Sequence, residues 1–235
     1  MQLFDRTFAA PAENLACDEA LLDACEAGGP EVLRFWEAKD YFVVVGYGNH
    51  AATEVDVEAC RHEGIPILRR CSGGGTVLQG PGCLNYAVVL RIENDRAWQT
   101  IPGANRGIME RNRAALESLL GRSVRVRGFT DLALGELKFS GNAQRRHRHS
   151  LLFHGTFLLD FDLGLIQRLL PLPSKQPDYR QDRAHEQFVT NLKVPAAEVK
   201  QVLSRAWGAA EVHSSSPDLR PLLEQKYGRA EWNLR

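Results

Sequence analysis

Three short stretches hold the side chains best suited to chemistry. In RRCSGGGTVLQGPGCLNYAVVL, residues 69–90, Arg69 and Arg70 stand beside Ser72 and the consecutive glycines Gly73, Gly74 and Gly75. Guanidinium forks match carboxylate or phosphate oxygens, and glycine lets a ligand lie against bare backbone N–H groups. The stretch reads either as an anion cradle or as a glycine-rich hairpin with solvated arginines. In GELKFSGNAQ, Lys138 sits among apolar and small residues ahead of Ser140 and Gly141. Its ammonium marks a sheet edge or faces a ligand. In LLFHGTFLL, His154 precedes Gly155 and Thr156, and is either a hydrogen-bonded core histidine or a site residue.

Several chemistries are excluded by pattern. There is no G-x-x-x-x-G-K-[ST] and no G-x-G-x-x-G between a strand and a helix, which removes P-loop and Rossmann sites. Neither H-E-x-x-H nor C-x-x-C occurs, so a catalytic zinc is not expected. Lysine plus arginine equals aspartate plus glutamate at 29 each, leaving no global field toward nucleic acid or an anionic membrane. No signal-peptide pattern opens the chain and no stretch is long enough to span a bilayer, so a cytoplasmic enzyme or binding protein is expected. Five cysteines, all before residue 84 and odd in number, fit reduced thiols better than a disulfide framework. The basic run Arg145–His149 reads as a solvated hairpin tip or a partner contact.

These residues need elements to position them. Asn14 is placed to cap a helix through Glu26, a second helix is expected over 54–63, and residues 103–120 form the longest, stopped by Gly121. Strands are expected at 32–36, 41–46, 66–70, 84–90 and 124–128. Residues 131–141 and 151–160 read as consecutive antiparallel strands joined by the polar loop QRRHRHS. The proline- and charge-rich segment 171–187 reads as a long surface loop before two helices near 195–207 and 217–227. A mixed sheet with helices on it follows.

RRCSGGGTVLQGPGCLNY, followed by DLALGELKFSGNAQ and FHGTFLLD, resembles the lipoate-protein ligase and octanoyltransferase family, which shares its catalytic fold with biotin-protein ligases. NLACDEALL and VVVGYGNH are similar to the family's first helix and acyl-pocket edge, and the resemblance covers roughly residues 10–192. It implies an α/β (α+β) fold with a mixed, largely antiparallel sheet flanked by helices. Residues 1–192 would be the catalytic domain, and 193–235 a small helical extension packed on it.

The resemblance further implies adenylation of lipoate or octanoate by ATP with Mg2+, then transfer to a lysine of a lipoyl domain or glycine-cleavage H-type protein. Lys138 would be the catalytic residue. Arg70 would face the acyl carboxylate and α-phosphate, with Ser72, Gly73, Gly74, Gly75, Thr76, Val77 and Leu78 beside the nucleotide. Ser140, Gly141, His154 and Gly155 would complete the substrate wall, and Asp131 would sit near adenosine and hold magnesium. Thr130 stands where the family has asparagine, and Gln79–Gly80 where many ligases have His-Asp. An ATP-independent octanoyltransferase drawing on octanoyl-acyl carrier protein would need a cysteine nucleophile. LPLPSKQPDYR and RGFTDL, where transferases carry it, have none, leaving Cys71 and Cys83. A non-catalytic acyl- or adenylate-binding scaffold is the alternative of another class, and a biotin ligase is a weaker enzyme alternative.

Overall fold

The computed structural model describes residues 1–213 and 215–235. Its strands are β1 (Gln2–Asp5), β2 (Val32–Trp36), β3 (Phe42–Val45), β4 (Ile67–Arg69), β5 (Val77–Gln79), β6 (Cys83–Arg91), β7 (Arg125–Arg127), β8 (Asp131–Leu134), β9 (Leu137–Arg146), β10 (Ser150–Leu158) and β11 (Glu211–Val212). Eight form one sheet in the order β11-β1-β2-β6-β10-β9-β8-β7, and β4-β3-β5 form a smaller one. Within the large sheet only β11-β1 and β1-β2 are parallel. The mixed, largely antiparallel architecture flanked by helices is as expected.

Strand alternation sends successive side chains to opposite faces. On β6 and β10, Leu84, Tyr86, Val88, Leu151, Phe153 and Phe157 join a core with Ile108, Met109 and Leu116 of the long helix Ile101–Leu120 and with Val199, Leu203 and Trp207 of the helix Ala196–Trp207. The intervening Ala87, Val89 and Leu152 pack against Cys17, Leu21 and Leu22 of the helix Pro11–Glu26. His154 belongs to that second face.

Local chemistry moved several boundaries. Asn14 does not cap. Pro11 begins the first helix and Glu13 Oε2 accepts from Ala10 N at 3.0 Å, while Asn14 lies buried inside it, exchanging bonds with the backbone of Phe8. In place of one helix over 54–63 there are two short ones, Ala51–Glu54 and Val57–His62, because Val55 is extended and Asp56 caps the second by accepting from Ala59 N. Thr100 accepts from Gly103 N, so the long helix starts two residues earlier than expected. Residues 131–141 are two strands turning at Gly135 (φ 60°), and β9 continues to Arg146, leaving only His147–His149 as a turn. There Arg146 donates to Trp98 O and His147 pairs with Asp23, so part of the basic run is held by its own chain. Near 217–227 the chain forms a short α-turn, Arg220–Leu222, and a π-turn, Leu223–Tyr227.

The buried Arg69 guanidinium donates to the carbonyls of Gly46, Asn49, Trp232 and Arg235, and Arg69 N donates to Asn233 Oδ1. Trp232 Nε1 returns a bond to Arg69 O, so residues 232–235 cover the open edge of β4. Arg69 is thus spent on structure. Deleting residues 230–235 should lower stability by at least about 3 kcal/mol in urea unfolding, because a buried guanidinium loses several acceptors at once.

Candidate active site

One cavity of about 380 Å³ opens between the two sheets. Arg70, Gly74, Gly75, Thr76, Val77 and Leu78 line one side; Asp131, Lys138, Ser140, Gly141, His154 and Gly155 line the other. Ser72 and Gly73 do not line it. Apolar walls come from Leu15, Trp36, Val44, Phe139, Leu158 and Ile166. Phe129 stands at the mouth, 91% exposed.

Lys138 reaches the cavity through a register shift. Asp131 pairs with Gly141 and Leu132 with Ser140, but Ala133 pairs with Lys138, leaving Phe139 as an extra residue. A bulge of this kind restores to one face two positions that strict alternation would separate. Phe139 turns into the core, and Lys138 Nζ lies 2.8 Å from Asp131 Oδ1. Tyr179 Oη donates to Asp131 Oδ2 at 2.8 Å, so both carboxylate oxygens are partnered. A methyl on Gly141 would fall 2.8 Å from Nζ, so glycine here leaves the amine room to cross the strand. Gly155 is bare for a similar reason, since a side chain there would collide with Asn142 Oδ1. That oxygen accepts from Tyr86 Oη at 2.6 Å, while Asn142 Nδ2 and Thr130 Oγ1 exchange bonds with each other's carbonyls and fasten the β7–β8 turn to β9.

The glycine loop is wound around Arg70. Its Nη2 donates to Gly73 O at 2.6 Å and Gly75 O at 2.7 Å, and its Nε donates to Gly73 O and Ser72 Oγ, each at 3.1 Å. Burial lowers its pKa to about 10, still well above neutrality. These peptides are trans, so carbonyls turned toward Arg70 direct the N–H groups of Gly74 and Thr76 away from it. Gly74 has φ 89°, and a side chain would meet Arg70 Nη2. Gly73 and Gly75 face open space. β5 is the outer strand of its sheet, and no described backbone bond uses its free edge beside the cavity.

Behind the loop runs a buried polar chain. His154 Nδ1 donates to Asp18 Oδ2 at 2.9 Å, and Nε2 lies 2.5 Å from Ser72 Oγ. In the neutral ring this makes Nε2 the acceptor of the Ser72 hydroxyl. Arg34, fully buried, is ion-paired with the other Asp18 oxygen and donates to Asn14 O. Burial alone would raise the Asp18 pKa, but Arg34 and His154 outweigh it and hold the carboxyl below its usual range. With both ring nitrogens engaged, His154 braces Ser72 and hence the glycine loop.

The segment 171–187 is the largest departure from expectation. It carries the 3₁₀ turn Asp178–Arg180 and leads into the helix His185–Phe188, folding over the cavity as a roof. Arg180 and His185, missed from sequence, are buried in its wall. Burial and the nearby Arg180 and Lys138 charges push the His185 pKa down, although its bond to Pro171 O opposes them. The sequence signal was there in His185-x-x-Phe188, a histidine and an aromatic at helical spacing within a polar run.

All five cysteines are buried and none lines the cavity. Burial pushes the Cys71 and Cys83 thiols up to about 12. No group of three His, Cys, Asp or Glu among the described residues could hold a metal, and no helix is long and apolar enough to cross a membrane.

Residues 10–208 match the model of the lipoyl protein ligase A/B catalytic domain. An Aeropyrum pernix protein of the lipoate-protein ligase A type is 34% identical over 166 residues, 70% of this chain and 60% of that protein's own length. The octanoyltransferase LipM of Geobacillus kaustophilus is 26% identical over all of this chain and 98% of its own. Among solved structures, a bipartite lipoate protein ligase from Thermoplasma acidophilum, studied with its E2 lipoyl domain, superposes with TM-score 0.85 at 26% identity over 99% of this chain and 95% of that one. A lipoate-protein ligase A bound with ATP matches at TM-score 0.85 and 26% identity, over 99% and 98% of the two chains.

Two outcomes follow. Asp18→Asn should cost about 3–5 kcal/mol in chemical unfolding at neutral pH, since Arg34 is left buried and unpaired. A carboxyl with a depressed folded pKa contributes fully above about pH 4 and less as pH falls toward that folded value. The gap from wild type should therefore close in acid. Ellman's reagent at pH 8 should find essentially no fast-reacting thiol in the native protein and five after unfolding in denaturant.

Proposed function

The chain belongs to the lipoyl protein ligase A/B catalytic-domain family, and on that premise we propose that it is an ATP-dependent ligase. It would activate lipoate or octanoate as an acyl-adenylate and pass the acyl group to a lysine of a lipoyl carrier domain. The observation that carries the ATP-dependent reading is the state of the thiols: every cysteine is buried, outside the cavity lining, and those beside the glycine loop resist ionisation. A thioester-forming transferase needs a reachable thiolate. The ATP-bound solved relative supports the same reading.

In the first step a carboxylate oxygen bonds to the α-phosphorus and pyrophosphate leaves. In the second, the acceptor amine attacks the acyl carbon, AMP leaves and one proton is released. Negative charge gathers on acyl and phosphoryl oxygens in both, and Lys138 is the positive group facing them. Asp131 and Tyr179 fix its position before substrate arrives. The outward N–H groups of Gly74 and Thr76 can receive oxygens without reorganising, because Arg70 already holds the loop. As one carboxylate with both oxygens partnered, Asp131 does not make a resident magnesium site; the ion would enter with the triphosphate as part of the substrate.

The LipM relative favours a second reading, octanoyl transfer from an acyl carrier protein. Intact-mass measurement of an apo lipoyl domain separates the two. We expect modification with lipoate or octanoate plus ATP, retained in Cys71→Ser and Cys83→Ala, and reduced at least about 100-fold in Lys138→Ala with the folded circular dichroism spectrum kept. Modification only from octanoyl-acyl carrier protein would replace the ligase with the transferase, and normal turnover by Lys138→Ala would remove the site assignment.

A further inference from the structure

Arg180 is the anomaly of the cavity wall. It is 4% exposed, and its guanidinium lies 4.7 Å from the ring centre of Phe188. Nε donates to Arg183 O at 3.0 Å, but no group among the described residues accepts from Nη1 or Nη2, and Nη2 is enclosed without a partner. The nearby acids are committed elsewhere: Asp131 to Lys138 and Tyr179, Asp182 to Gln176. No carboxylate lies within ion-pairing distance of Arg180 among the described residues. By contrast, Arg34, Arg69 and Arg70 are supplied with acceptors. A buried guanidinium without an anion is unfavourable, so its presence calls for one from outside the chain.

Arg180 shares the cavity with Lys138 and with Thr76, whose buried Oγ1 is likewise unpartnered. The Arg180 and Lys138 charges both act on His185, so their fields overlap inside the roof. A tetrahedral phosphoryl group, whose oxygens point in several directions, suits two cations and a hydroxyl better than a flat carboxylate, which a single fork would satisfy.

We propose that Arg180 is a phosphoryl-binding residue of this enzyme, taking a phosphate group of the nucleotide or of the acyl donor on Nη1 and Nη2 from the roof while Lys138 faces it from the sheet. This rests on the cavity being the site of acyl activation or transfer and is independent of which phosphate ligand enters. Phosphate belongs to a nucleoside triphosphate and equally to the phosphopantetheine arm of an acyl carrier.

Isothermal titration of the full chain tests it, with ATP, pyrophosphate and octanoyl-phosphopantetheine as phosphate ligands and octanoate and adenosine as phosphate-free controls. Arg180→Gln should weaken whichever phosphate ligands the wild type binds by about 10- to 100-fold, the worth of a charge-assisted hydrogen bond. Arg180→Lys should recover part of the loss. Control affinities should stay within about twofold, and the melting temperature of the ligand-free Arg180→Gln protein should not fall, since the substitution removes an unpaired charge. Unchanged phosphate affinity in Arg180→Gln overturns the proposal. So does equal weakening of phosphate ligands and controls with a lowered melting temperature, which would make Arg180 a roof-packing residue, and so does a wild type that binds no phosphate ligand. Arg180-dependent binding of octanoyl-phosphopantetheine without ATP binding would uphold this inference while removing the ATP-dependent reading.

Discussion

An extra residue in one strand decides which side of the sheet carries the Lys138 amine. Without Phe139 in excess, Lys138 would share the face of Ser140 and Asn142, away from Asp131 and Gly141. With it, Phe139 fills the core and the amine crosses a bare glycine to meet a carboxylate already held by Tyr179. Packing and chemistry are coupled here, because the apolar anchor that stabilises the bulge also sets the direction of the cation.

The neighbouring arginines at the end of β4 show the same division of labour. Arg69 collects carbonyls from the loop after β3 and from the chain's last residues, while Arg70 collects those of the glycine loop. Both are internal cross-links, each guanidinium being taken up by carbonyls of its own chain. The Asp18–His154–Ser72 chain backs the loop from the other side. A glycine-rich segment, mobile by composition, is thereby pinned from two directions.

Most of the regular scaffold was legible in the sequence, because β2, β6, β10 and the long helix carry strong periodicity and Gly121 stops the helix in the left-handed region at φ 62°. Gly74 was legible as a position of positive φ, and Lys138 and Gly155, singled out by their motifs, stand in the cavity wall. What failed depended on tertiary partners. Asn14 has a capping side chain but is claimed by Phe8 and Arg34. The bulge leaves no mark in LKFSG, whose alternation is sound until β8 imposes its register. Segment 171–187 is polar enough to read as surface, and Arg180 and His185 are buried only because the segment folds back over the cavity.

The grip of Arg69 on residues 232–235 has a bearing on the order in which the molecule assembles. β1 aligns with residues 211 and 212, and β4 is completed by groups more than 160 positions downstream, so two edges wait on the most distant stretch of the sequence. Contacts of such separation form late and slow the search for the native state. During synthesis β4 lacks its cover until residues 232–235 have left the ribosome, and the Arg69 guanidinium finds its full set of acceptors only then.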